Sequence, residues 1–151
     1  MEIRLATLSD IAVIAAFRRA MFVDMGETDE AACEAMAVAF AQWVKEKMGR
    51  GDYIGWLAVV DGTSVASVGL WLMEWSPLPH DLSNRRGRVM DVYALPDYRR
   101  HGLARKLMTA LITWSRANGL HSLHLDASAM GRGLYEELGF EATHEMRLRL
   151  D

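Results

Sequence analysis

The chain has 151 residues, of which 51% are hydrophobic and 25% charged, and a formal net charge of −3. That size and apolar content suit one compact domain over 1–151 with a real core. The mild acidity argues against a nucleic-acid partner, whose surface is broader, more basic and interleaved with stacking aromatics. Cys33 is the only cysteine, so no intrachain disulfide framework or zinc thiolate cluster can form. Glu2, Arg4 and Asp10 interrupt any secretory-type N-terminus, and no apolar run approaches the ~18–20 residues that span a bilayer. No membrane partner and a reducing cytoplasm are therefore expected.

Ile3 to Leu5 reads as a short strand. Thr7-Leu-Ser-Asp10 resembles a capping box with Asp10 in the reciprocal acidic position. Behind it Ile11, Ile14, Arg18, Met21, Phe22 and Met25 recur at helical spacing, and Gly26 stops that helix. A second helix opens near Thr28, with Asp29 and Glu30 in its first turn. Its stripe is Cys33, Met36, Phe40, Trp43, Val44 and Met48, and Gly49 and Gly51 end it. Tyr53 to Val60, the turn Asp61-Gly62 and Ser64 to Met73 predict a hairpin. Ser76 to Gly87, with Pro77, Pro79 and Asn84, predicts a long loop.

Val89 to Ala94 is the next predicted strand, and Gly102 to Ala117 a helix stopped by Asn118-Gly119. Leu120 to Leu125 gives another strand. A short helix then runs through Leu138, closed by Gly139, and Phe140 to Leu150 predicts a final strand or two. The crossover from Val89–Ala94 to Leu120–Leu125 requires parallel pairing, whereas the hairpin is antiparallel. The fold class is mixed α/β (α+β) with helices on both faces.

The chemistry concentrates at Tyr93-Ala-Leu-Pro-Asp-Tyr-Arg-Arg-His-Gly-Leu-Ala104. A strand stops at Pro96, and Gly102 and Ala104 open an amphipathic helix without bulky side chains in the way. Helix N-termini attract anions through unpaired N–H groups and the helix dipole. Arg99, Arg100 and His101 sit where they could add donors, within a basic stretch that includes Arg85, Arg86, Arg88, Arg105 and Lys106. The loop reads as a cradle for a phosphate or pyrophosphate held without a metal; a plain strand–turn–helix with solvated arginines is the alternative. No G-x-x-x-x-G-K-[ST] occurs, and Gly131-Arg-Gly133 is not continued as G-x-G-x-x-G, which argues against a kinase, GTPase or dinucleotide dehydrogenase. His121 and His124 are three apart on a predicted strand, hence on opposite faces and unsuited to share a metal.

A second segment, Ser128-Ala-Met-Gly131-Arg-Gly-Leu134-Tyr135-Glu-Glu-Leu-Gly139-Phe140, puts a tyrosine early in a short helix. Together the two segments resemble the GNAT superfamily of acyl-CoA-dependent N-acetyltransferases. Arg99, Gly102 and Ala104 match its R/Q-x-x-G-x-G/A loop, and Leu134-Tyr135-Glu-Glu-Leu-Gly-Phe140 matches its L-Y-x-x-x-G-F segment. Ser128 stands where that family often has Asn, and Gly131 where it often has Ala. Gly131 and Gly133 each lower helix propensity by up to ~1 kcal/mol against Ala, so this helix is expected to start late or flex.

The resemblance implies a mostly antiparallel central sheet with a parallel, splayed strand pair. It implies acetyl-CoA as co-substrate, no metal, and a small-molecule or peptide amine as acceptor. The pyrophosphate would lie on the N–H groups of Arg100, His101, Gly102, Leu103 and Ala104, with Arg99 and Arg105 beside it. The pantetheine would pair with Val92, Tyr93 and Ala94, and Ser128, Leu134 and Tyr135 would complete the cofactor side. The implied mechanism is direct attack in a ternary complex. The Val92 N–H would serve the oxyanion, and Tyr135 would be the general acid to the leaving thiolate.

Asp91 and Glu74 are candidates for the base. Strand alternation puts Asp91 and Tyr93 on one face and Val92 on the other unless a bulge intervenes, and a structural hydrogen-bonding role is the other reading of Asp91. Trp71, Trp75 and Pro77 to His80 read as acceptor-pocket wall or, equally, as packed loop or dimer contact; the resemblance implies a homodimer as the common assembly. The alternative function is a non-catalytic acyl-CoA-binding sensor or interaction module.

Overall fold

The computed structural model describes residues 1–150. Strand β1 (Glu2–Leu5) leads through a 3₁₀ turn at Leu8–Asp10 into α1 (Ile11–Asp24), followed by α2 (Glu30–Arg50). The hairpin β2 (Tyr53–Val60) and β3 (Thr63–Glu74) precedes β4 (Arg85–Ala94), α3 (Leu103–Ala117), β5 (Leu123–His124) and α4 (Arg132–Glu137). The sheet order is β1-β2-β3-β4-β5, antiparallel except for the parallel β4–β5 pair.

Local chemistry explains these elements. Asp61 and Gly62 both take positive φ, 49° and 77°, as a two-residue Asp-Gly hairpin turn requires. The Thr7 N–H donates to Asp10 Oδ2 at 2.7 Å, closing the entry to α1. Arg4 grips the same carboxylate through two bonds of 2.8 and 2.9 Å, which is the main reason its pKa lies at about 2. Asp29 caps α2 by accepting from the Ala32 N–H, and Gly51 ends that helix in the left-handed conformation.

Both faces of the sheet are covered, so β3 is buried almost continuously from Val65 to Leu70. On one face Trp56, Val68, Leu70 and Val89 pack with Leu103, Leu107, Met108 and Leu111 of α3 and with Tyr135. On the other, Tyr53 meets Ile14 of α1 and Phe40 and Val44 of α2, with Trp71 and Met90 against them.

Three expectations need correction. The loop after β3 is shorter than Ser76–Gly87, because β3 extends to Glu74 and pairs with β4 from Arg85 onward. Gly87 lies inside β4: a Cβ there would stand 2.7 Å from Leu123 Cδ2 and 2.8 Å from Leu70 Cδ1. The strand expected at Leu120–Leu125 contracts to Leu123–His124, paired only as Gly87↔Leu123 and Arg88↔His124. No strand forms over Phe140–Leu150. The alternating pattern is present there, but no neighbouring strand supplies the hydrogen bonds that would make it one.

Candidate active site

The centre of β4 is distorted where the chemistry was expected. Ser67 pairs with Tyr93 and Gly69 with Met90, so Asp91 and Val92 together oppose Val68. This is a bulge, with Asp91 at φ 59°. Simple alternation along the strand therefore fails at this point, and one N–H of the Asp91–Val92 pair leaves the ladder.

Four elements hold the bulge. Arg18 of α1 donates through Nη1 to Asp91 Oδ1 at 2.6 Å, and the Tyr53 hydroxyl of β2 donates to Oδ2 at 2.8 Å. Ser67 Oγ of β3 donates to the Asp91 carbonyl at 3.0 Å. Phe22 and Phe40 stack under the Arg18 guanidinium, with centroids at 5.1 and 4.6 Å. Asp91 is only 2% exposed. Burial pushes its pKa up, opposed by the Arg18 charge, while burial and the Asp91 charge push the Tyr53 phenol well above its usual 10.0.

With both carboxylate oxygens engaged away from solvent, the geometry supports the structural reading of Asp91 over the base. Glu74 is exposed and opposes Arg85, seven residues before Val92, or about 23 Å along a strand. The structure does not bring Glu74 to the bulge.

Arg18, Tyr53 and Ser67 escaped the sequence reading as site residues. Arg18 left one signal: a charge in the apolar stripe of α1 requires a buried partner.

Beyond Arg88, β4 and β5 no longer pair, which leaves the β5-facing side of Val89–Ala94 without a strand partner. The Pro96–Tyr98 turn then leads to Arg100 and Gly102, both left-handed, at φ 63° and 75°. These two residues lead directly into the first turn of α3, whose N–H groups have no partner inside the helix. Space beside Gly102 is open, since a Cβ there would meet nothing within 4 Å.

The side chains of this loop divide. Arg100 and His101 are exposed. Arg99 is turned back: Nε donates to the Ala94 carbonyl at 2.9 Å, Nη2 pairs with Asp24, and the guanidinium lies 5.5 Å from the Tyr93 ring centroid. Arg105 pairs with Glu137, joining α3 to α4. Leu103 is buried against β4, and Ala104 is half-buried.

Tyr135 is 7% exposed, with its ring 5.9 Å from that of Phe140. Burial raises its pKa above 10.0. Gly131 makes this placement possible, because a Cβ there would lie 2.7 Å from Tyr135 Cε2 and 3.1 Å from its Oη. Ser128 Oγ accepts from the Gly131 N–H at 3.1 Å, so its hydroxyl shapes the approach to α4, which begins only at Arg132. Leu134 is half-buried on that helix.

Trp71 packs edge-on against Trp43 at 5.1 Å, and Arg86 covers the Trp75 ring at 3.8 Å. Among the described residues no group of three or more His, Cys, Asp or Glu side chains could hold a metal ion, and no helix is long and apolar enough to cross a membrane.

Residues 12–140 match the Acetyltransferase (GNAT) family. Over 65 residues the chain is 42% identical to glucosamine 6-phosphate N-acetyltransferase of Trypanosoma brucei brucei, a match covering 43% of this chain and 44% of that protein. The crystal structure of a GCN5-related N-acetyltransferase from Ralstonia eutropha JMP134 superposes with a TM-score of 0.93 at 31% identity, covering 99% of this chain and 97% of that one. A predicted acetyltransferase with acetyl-CoA from Clostridium acetobutylicum shares the fold, with a TM-score of 0.88 at 22% identity over 99% and 95% of the two chains. Because the family match takes in the bulge, the loop after it and Tyr135 together, the chain belongs to the GNAT acetyltransferase family.

Proposed function

We propose that the chain, as one domain over 1–151, moves an acetyl group from acetyl-CoA to an amine by direct attack in a ternary complex. The observation that carries this reading is the parting of β4 and β5 after Arg88, next to a left-handed loop that presents the N-terminus of α3. An extended, phosphate-ended ligand suits that shape. The N–H groups at the start of α3 would take its pyrophosphate, and the free side of Val89–Ala94 its amide-bearing arm. Acetyl-CoA supplies an activated thioester. Arg99 acts as a brace for this loop, because its fork is already occupied by Ala94 and Asp24.

At the bulge, the Val92 N–H is the proposed donor to the oxyanion, and the buried Asp91 positions it. Tyr135 is the proposed proton donor to the departing thiolate. Its raised pKa keeps the phenol protonated throughout the neutral range. The base is left to solvent or to the acceptor side of the cleft, because Asp91 is enclosed and Glu74 is remote. A cytoplasmic setting is consistent with the lone Cys33, which is buried.

The partial identity to a glucosamine 6-phosphate N-acetyltransferase makes amino-sugar phosphates the first acceptors to screen. Thiol release from acetyl-CoA across an amine panel tests the activity. Tyr135→Phe should lower kcat by about 10²–10⁴-fold, with the Kd for acetyl-CoA nearly unchanged. Equal turnover by the variant would remove Tyr135 from the mechanism. Tight acetyl-CoA binding without thiol release for any amine would favour the sensor reading instead.

A further inference from the structure

Where β4 meets β5, the sheet carries a concentration of positive charge that acetyl transfer from the cofactor side leaves unused. Arg86 and Arg88 are two apart on β4, so both lie on the sheet face where Trp71 and Met90 meet the α1–α2 layer. His124 stands opposite Arg88 in the parallel register and shares that face. Its Nε2 lies 3.1 Å from Ser122 Oγ. All three side chains are half-buried and border a cavity of about 1030 Å³.

The fold gives these groups little relief from one another. Arg86 lies over the Trp75 ring at 3.8 Å and has no ion-pair partner among the described residues. Arg88 pairs through Nη2 with Asp126 at 2.7 Å, but Asp126 is 85% exposed, where a pair is worth little. The charge of Glu145 reaches Arg86 and His124, yet its carboxylate stands beyond ion-pair distance of both. Burial pushes the Arg86 guanidinium down, and burial with the charges of Arg86 and Arg88 pushes His124 below its usual 6.5. Cations crowded in this way favour an entering anion. Stacking on Trp75 uses the face of the Arg86 fork and leaves its N–H edge for a ligand, and that edge matches phosphate.

The position suits an acceptor. Arg88 precedes Val92 by four residues, about 13 Å along an extended strand. Asp126 lies two residues past His124 on the parallel chain, so the bond to it draws the Arg88 guanidinium about 7 Å toward the fork. That leaves about 6 Å to Val92, the span of a small amine with a phosphate at its far end. Arg100 to Ala104 follow the bulge in the chain, whereas Arg86 and Arg88 precede it. Donor and acceptor phosphates would thus be held on opposite sides of the reacting carbonyl.

We propose that Arg86, Arg88 and His124 form a subsite for a phosphate on the acceptor, which makes the acceptor an amine bearing a phosphate monoester. The ligand's role as acceptor rests on the acetyl-transfer reading; the anion site itself stands apart from it.

Histidine NMR separates the two. With the chain saturated by CoA, so that the start of α3 is already filled, inorganic phosphate should move the His124 titration to higher pH, because a nearby anion favours the imidazolium. The groups facing that ring are Arg86 and Arg88 from β4, Ser122 and Asp126 from the β5 segment, and Glu145. His124→Asn identifies the signal, and Arg86→Gln with Arg88→Gln should abolish its response. A His124 titration unmoved by phosphate overturns the site. If CoA leaves His101 unperturbed, the cofactor cradle fails instead, and the phosphate result stands. Across the amine panel, Arg86→Gln should lower kcat/KM for a phosphorylated amine by about tenfold or more. Turnover confined to amines without a phosphate overturns the acceptor assignment while acetyl transfer stands. If the double variant does not fold, the phosphate response and turnover pattern of the unmodified chain decide the matter.

Discussion

Asp91 shows how much a single residue can demand of its surroundings. Its positive φ costs about 1–3 kcal/mol, whereas each hydrogen bond to its charged carboxylate is worth about 1.5–3 kcal/mol. Arg18 and Tyr53 together therefore outweigh the strain. Removing Arg18 strands a buried carboxylate, so Arg18→Met should lower unfolding free energy by about 3–5 kcal/mol in urea titrations. Asp91→Asn leaves the Arg18 cation without its partner, but that side chain is 20% exposed and rests on the Phe22 and Phe40 rings, so this change should cost less stability while still lowering kcat through the altered bulge. Gly69 adds a steric condition, because a Cβ there would sit 2.0 Å from the Tyr53 hydroxyl. Gly69→Ala should displace that ring and weaken the protein by about 1–3 kcal/mol, measurable as a lower midpoint of denaturation.

At the level of elements, the junction between β1 and α1 depends on the Arg4–Asp10 pair. The Asp10 pKa falls from 3.8 to about 2 on folding, so its stabilisation is present above pH 4 and is lost as pH drops toward 2. The shift corresponds to about 2 kcal/mol. Asp10→Asn should flatten the acid limb of a stability–pH curve between those values and lower the curve by about 2 kcal/mol at every pH above 4, with its slope there unchanged.

The same level shows what the sequence discloses. The capping box, the Asp61-Gly62 turn and the Gly102 entry to α3 are local signals, and each structure forms from residues close in sequence. The bulge is not local. Its Arg18 lies 73 positions from Asp91, and only tertiary packing joins them. The extension of β4 through Gly87 was hidden for a similar reason: glycine there reads as loop, yet it makes room for Leu70 and Leu123. The pattern over Phe140–Leu150 announced a strand without announcing a partner, because alternation specifies faces and is silent about which edge receives them.

For the molecule as a whole, β3 joins the two cores, with Val68 and Leu70 in one and Trp71 against the other. Neither core has a sheet of its own. Unfolding followed by tryptophan fluorescence, which samples Trp56 and Trp114 on one face and Trp43 and Trp71 on the other, should coincide with unfolding followed by far-UV circular dichroism. Separate transitions would mean that one helical layer leaves before the sheet opens. The clamp around Asp91 also has a kinetic meaning. Its groups arrive from α1, β2, β3 and β4, so the bulge cannot be complete until α1 has docked on an already ordered sheet. During refolding, recovery of turnover should lag behind recovery of secondary structure, making catalysis the last property to return.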